Sequence, residues 1–133
     1  MRFKAINIRT GASIFKALSE ESRIRIIFLM YKNGEMCISD LEHILDFTQT
    51  KTSRHLTYLK NAGLLNSTKR DQWVYYQIKE EYMGVITQFM SFLEKDALLT
   101  SDQKNYNTLY ANNILAIRKI HNQQNRYQLP ELR

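Results

Sequence analysis

The stretch Thr48-Gln-Thr-Lys-Thr-Ser-Arg-His-Leu-Thr-Tyr-Leu-Lys-Asn-Ala62, with Gly63 behind it, decides the fold. Thr48 suits a helix start, because its hydroxyl can accept an orphan backbone N–H. Gly63 suits a helix end, because glycine takes the left-handed conformation cheaply. Between them Thr52, Leu56, Leu59 and Ala62 fall on one face, at spacings of four, three and three. The other faces carry Gln49, Thr50, Lys51, Ser53, Arg54 and Lys60, all hydrogen-bond donors and none a carboxylate. From Phe47 through Arg70 there are five Lys/Arg and no Asp/Glu. An apolar back with an anion-seeking front suits a phosphate-lined groove.

Working outward, Ser39 is the expected cap of the preceding helix, with Glu42 completing a capping box and Leu41, Ile44 and Leu45 as its buried stripe. Asp46-Phe47 leaves only a turn before Thr48. Two short helices on a tight turn, the second basic outside, read as helix-turn-helix. After Gly63 the period changes. Leu64–Thr68 and Trp73–Ile78 read as strands around a polar tip, Lys69-Arg70-Asp71-Gln72. Helix-turn-helix followed by a hairpin is the order of a winged helix.

Upstream, Ser13–Leu18 reads as a short apolar helix. Ser19 or Ser22 is the expected cap of a core helix that runs to Tyr31 and breaks at Asn33-Gly34. Met1–Gly11 is basic and weakly patterned. Downstream, Glu81–Leu99 reads as one helix with a wide apolar stripe through Tyr82, Val85, Ile86, Phe89, Phe92 and Leu93. Thr100-Ser101 interrupts, Ser101 caps a further helix to about His121, and Asn122–Arg133 is polar and frays. The expected fold is mainly α with a small β-hairpin, in the order α-α-α-α-β-β-α plus an extra C-terminal helix. Residues 1–99 form the winged helix-turn-helix with its dimer contacts, and residues 100–133 a C-terminal helical extension.

At 133 residues the length suits a single compact unit. A net charge of +6 favours anionic partners, nucleic acid or membrane surface. The single cysteine excludes an intrachain disulfide and fits a reducing compartment. No apolar run approaches a membrane span, and the first ten residues show no signal peptide, so a cytoplasmic location is expected. One proline and four glycines imply little loop and much helix.

Five pieces of the chain resemble ArsR/SmtB-type bacterial repressors, in the right order and spacing. They are Lys16–Ser19; Ser22–Ile26; Glu35–Leu41; Gln49–Leu65, including Ser53-Arg54-His55-Leu56, Leu59 and Ala62-Gly63-Leu64-Leu65; and Trp73–Tyr76. The resemblance spans roughly residues 12 to 93. It implies a homodimer, with the first helix (Ser13–Leu18) and the helix after the wing (Tyr82–Leu93) paired across a two-fold axis. It implies a repressor that binds a palindromic operator in double-stranded DNA.

On that reading Gln49, Thr50, Lys51 and Arg54 lie where helix-turn-helix proteins reach base edges. Arg can pair bidentately with guanine and Gln with adenine. Thr48, Ser53, His55, Lys60, Lys69 and Arg70 are phosphate contacts that hold register. His55 also fits a structural role.

The resemblance implies thiophilic metal sensing in relatives with Cys-x-Cys in the third helix. Here Ser39 stands at the second place, and Glu42 where a third cysteine can stand. One thiolate is too few for a soft ion. The family's other site needs histidine in the helix after the wing, and Glu81–Leu99 has none. No cofactor or metal site is expected. The signal is then another ligand, held under the extended C-terminal helix, or oxidation at Cys37.

Catalysis is not expected. Cys37 and His43 are six apart on a helix and face apart, and no Gly-rich phosphate loop is present. Two alternatives remain: a protein-binding winged helix that never touches DNA, and a metal- or redox-responsive repressor using Cys37. The acid-free run from Phe47 to Arg70 separates the first from a DNA binder, because a protein partner does not require it.

Overall fold

A computed structural model describes residues 5–128. The element order is α1 (Ile8–Ala17), α2 (Glu21–Asn33), β1 (Met36–Cys37), α3 (Ile38–Leu45), α4 (Gln49–Asn61), β2 (Leu65–Arg70), β3 (Trp73–Ile78), α5 (Met83–Phe92), α6 (Ala97–Ala111) and α7 (Ile117–Gln128). A short 3-10 turn, Glu80–Tyr82, leads into α5. The fold is a winged helix-turn-helix, mostly helical around a small antiparallel sheet, as its pattern predicts.

The helix that decides the fold forms as expected. Thr48 Oγ1 accepts from Lys51 N at 3.1 Å, and Gly63 sits at φ +85°. The buried face holds Thr52, Leu56 and Leu59, joined by His55. Asp46, left-handed at φ 56°, makes the tight turn from α3.

The hairpin also forms. β2 and β3 run antiparallel from Leu65↔Ile78 to Arg70↔Trp73, turning through Asp71 at φ 56°. The sheet has a third strand that the sequence pattern did not announce. β1 pairs with β3 through Met36↔Tyr76 and Cys37↔Tyr75, giving the order β1-β3-β2.

That strand moves the start of α3. Cys37 becomes the cap position with no side-chain bond, so the Ser39–Glu42 capping box does not form. The cap of α2 moves as well. Neither Ser19 nor Ser22 fills it. Glu20 does, accepting from Ser22 N at 3.1 Å and Arg23 N at 3.2 Å. Ser19 instead donates its hydroxyl to Lys16 O at 2.7 Å and closes α1.

Beyond the wing the boundaries differ from the periodic reading. The break falls at Leu93–Asp96, not at Thr100-Ser101, because Asp96 Oδ1 caps α6 through Leu98 N and Leu99 N at 2.9 and 3.1 Å. The expected helix from Ser101 to His121 is two helices, divided at Asn112-Asn113, where Asn113 takes φ 63°. Helix α7 continues to Gln128, so the expected frayed end is helical to that point, and residues 129–133 lie outside the described residues. Met1–Lys4 and Pro130 lie outside them too.

The core centres on α2, whose Ile26, Ile27 and Leu29 are fully buried. Leu99, Tyr106, Ile117 and Ile120 of the C-terminal helices, and Leu115 in the link between α6 and α7, belong to the same buried cluster. Polar ties fix them to α2 and α3. Arg25 meets Asp102 bidentately at 2.9 and 3.0 Å, and Asn33 and Gln103 exchange amide hydrogen bonds at 2.9 Å. Asn105 Nδ2 donates to Ile44 O at 3.3 Å. Asp40, buried in α3, accepts from Ala116 N and Ile117 N at 2.7 and 3.0 Å and so caps α7 from a distant helix.

Candidate nucleic-acid interface

Thr48 caps α4, and the first two turns of the helix present Gln49, Thr50, Ser53 and Arg54 on one open face. These four line one shallow depression. Their exposure follows from the helix period, since Thr52, Leu56 and Leu59 turn inward and fix the rotation of α4. Gln49 and Arg54 therefore stand near the helix N-terminus with their hydrogen-bonding ends in solvent.

Lys51 is oriented by its neighbour. Its Nζ lies 4.0 Å from the ring centroid of Phe47, in the turn before the helix. Arg25 stacks on the same ring at 5.1 Å. Phe47 thus neighbours a cation of α2 and a cation of α4, contacts favoured by the ring quadrupole.

Lys60, at the far end of α4, donates to Ser67 Oγ of β2 at 3.0 Å and links helix to wing. Lys69 is exposed on the wing. Arg70, expected beside Lys69 as a free phosphate contact, is bound to Glu35 at 3.1 Å. The acid-free run ends in a cation whose partner lies before β1, and strand pairing brings the two together.

His55 stands apart from the exposed donors. It is 6% exposed on the back of α4, and its Nδ1 has no hydrogen bond. Glu20 Oε2 lies 3.6 Å from that nitrogen. Burial holds the imidazole below its usual pKa. Glu20 pulls the other way, while Arg54, Arg23 and Lys51 reinforce the depression. His55 is buried on the back of α4, apart from the exposed donors of its front face.

A residue that sequence reasoning passed over is Arg23. Its Nε donates to Ala17 O at 2.6 Å, at the end of α1, and its guanidinium lies 4.1 Å over the ring of Tyr58 in α4. One side chain thus joins α1, α2 and the recognition helix. Its signal in the sequence is only that it follows the short helix; the contacts join segments remote in the chain.

Between α3 and the wing lies a groove of about 210 Å³, with Cys37, Ser39, Glu42, Gln49, Trp73 and Val74 among its walls. Cys37 is 1% exposed and its Sγ is 3.4 Å from Ser39 Oγ. Burial pushes the thiol pKa up, against a weaker pull from the Ser39 hydroxyl. A raised thiol keeps its proton and ligates poorly. No trio of His, Cys, Asp or Glu is gathered at one place among the described residues. The donor set does not fit a soft ion.

This arrangement of helix-turn-helix and wing is a winged helix-turn-helix architecture. The family description "Bacterial regulatory protein, arsR family" matches residues 20–67. The chain is 36% identical over 99 residues to the arsenic resistance transcriptional regulator ArsR1 of Pseudomonas putida, covering 68% of this chain and 77% of that one. It is 43% identical over 65 residues to the arsenical resistance operon repressor of Escherichia coli, covering 49% of this chain and 56% of that one. In structure it is similar to HlyU from Vibrio cholerae, with TM-score 0.58 and 27% identity, over 62% of this chain and 90% of the other. The homodimeric winged helix-turn-helix fragment of Mb0332 from Mycobacterium bovis shares the fold, with TM-score 0.59 and 23% identity over 65% of this chain and 80% of that one. The chain belongs to the arsR family of bacterial regulatory proteins, and it is a transcriptional regulator rather than an enzyme. No described helix is long and apolar enough to cross a membrane.

Proposed function

We propose that the chain is a cytoplasmic, homodimeric repressor that binds a palindromic operator, each half-site taking one α4 in the major groove. The observation that carries this reading is the exposed front of α4: Gln49, Thr50, Ser53 and Arg54 side by side, with no carboxylate between Phe47 and Arg70. In this reading Gln49, Thr50, Lys51 and Arg54 read base edges, while Thr48, Ser53, Lys60 and Lys69 hold phosphates. Arg70 acts first on Glu35 and His55 acts as support.

Dimerisation is supported by an apolar face on α1 and α5. Phe15 is 64% exposed and Phe92 is 83% exposed, and with Val85 and Phe89 they border a groove of about 290 Å³. Exposed aromatic residues gathered on two neighbouring helices suit an isologous two-fold contact. The Mycobacterium bovis neighbour is described as homodimeric.

Selection of bound duplex from a random pool at stated salt tests the reading. Enrichment of two-fold-related half-sites is expected. Failure to enrich any duplex would favour a winged helix that binds protein.

A second reading comes from relatives named for arsenic and cadmium resistance. It asks Cys37 to hold a thiophilic ion with Ser39 and Glu42. The buried, protonated thiol and the lack of a second cysteine weigh against it. Operator-bound protein titrated with arsenite, cadmium and zinc is expected to stay bound. Release at micromolar metal in the wild type but not in Cys37→Ser would restore that role.

A further inference from the structure

A cavity of about 350 Å³ lies where the first turn of α2 meets the junction of α5 and α6. Its size falls within the range of about 300–1,000 Å³ typical of small-ligand sites. Ile24, Leu93, Leu98 and Leu99 form the apolar walls. Leu98 is 44% exposed there, at the start of a helix.

Charge decides the class of ligand. Arg25 is the one cation in the wall, and Asp102, itself 1% exposed, engages its Nε and Nη2. Glu21, also in the wall, acts on the same guanidinium. Asp96 uses only Oδ1 to cap α6 among the described residues. Asp102 already neutralises the Arg25 guanidinium, so the Glu21 and Asp96 carboxylates in the wall leave the cavity negative. An anionic ligand meets repulsion from Glu21 and Asp96. A compact apolar body with an ammonium end satisfies both the walls and the rim.

The cavity wall is continuous with the recognition helix. Asp102 holds Arg25, Arg25 stacks on Phe47, and Phe47 also carries Lys51 of α4. A cation lodged beside Glu21 and Asp96 repels the Arg25 guanidinium, and the Phe47 ring feels any shift of Arg25.

We propose that this cavity is an effector site for a small apolar ammonium compound, and that its occupation weakens operator binding through Arg25 and Phe47. The second half rests on the DNA-binding reading above, whereas ligand binding itself does not. Coupling requires only that the ligand prefer the conformation with lower DNA affinity.

Calorimetry with 2-phenylethylamine, 2-phenylethanol and phenylacetate tests the site, because the three probes share a body and differ in charge. The amine is expected to bind at least about tenfold more tightly than either of the others. Glu21→Gln should remove most of that preference, and Leu98→Trp, at a half-exposed position, should fill the cavity and abolish binding. Circular dichroism confirms that both variants fold. In gel shifts the amine should raise the apparent Kd of the selected duplex about fivefold or more. Equal binding of amine and acid, binding unaffected by both substitutions, or no binding by any probe at millimolar concentration would overturn the site. Amine binding that leaves duplex affinity unchanged would overturn the coupling. Absence of duplex binding without any amine would instead count against the operator reading, leaving the calorimetry to judge the site.

Discussion

Asp40 on α3 caps Ile117 at the start of α7: the carboxylate accepts from Ile117 N at 3.0 Å, and from Ala116 N at 2.7 Å. The two residues are 77 positions apart. A buried carboxylate at a helix N-terminus is favoured by the orphan N–H groups and by the helix dipole. Removing it strands one buried and one part-buried donor. Asp40→Ala is therefore expected to lower stability by about 1–3 kcal/mol in urea unfolding. A change within a few tenths of a kcal/mol would mean that α7 is not held through this contact.

The buried imidazole of His55 gives stability a pH dependence. Its folded pKa lies below the unfolded value of 6.5, so the unfolded chain takes up the proton first as pH falls. The stabilising contribution is complete above the unfolded value and is lost as pH falls toward the folded one. Thermal melts from about pH 7.5 to about pH 5.5 should show a larger loss of Tm in the wild type than in His55→Gln. Parallel losses in the two proteins would place the effect elsewhere.

The proposed DNA contacts are expected to separate by the salt dependence of binding. Lys69→Ala should lower the salt slope by about one and weaken all duplexes alike. Arg70→Ala should change the slope less, because Glu35 already neutralises Arg70. Arg54→Ala should cost about 1–3 kcal/mol and relax one base preference. Equal loss of specificity from wing and helix variants would show that α4 is not the reading element.

The apolar face of α1 and α5 predicts the assembly state. Phe15→Asp and Phe92→Asp each place a charge in the middle of that face and should shift sedimentation at micromolar concentration from dimer toward monomer, by about 2 kcal/mol or more. A wild type that sediments as monomer would remove both the dimer and the palindromic operator.

What could be read in the chain was local. Thr48 and Gly63 mark the ends of α4 because capping and left-handed backbone are decided within a few residues. The alternation of Trp73–Ile78 marks β3 for the same reason. Some missed features are local, such as the Glu20 and Asp96 caps, and the others join distant segments. β1 has two residues, too short for any period, and exists only because β3 pairs with it. Its pairing displaced the expected Ser39 cap. The break after α5 carries neither Gly nor Pro, so an apolar period running from Tyr82 to Leu99 concealed it. At the site, the exposed face of Gln49, Thr50, Ser53 and Arg54 followed from helix geometry, whereas the burial of His55 and the pairing of Arg70 with Glu35 depend on α2 and on the chain before β1.

Trp73 is the chain's only tryptophan, and it stands in the wall of the groove that joins the start of α4 to the wing. It is 36% exposed, so water reaches part of the indole while Cys37 and Gln49 lie near it. The protein thus carries a native fluorophore at the seam between α4 and the wing. Emission colour and quenching report on that seam alone, with no label and no competing indole.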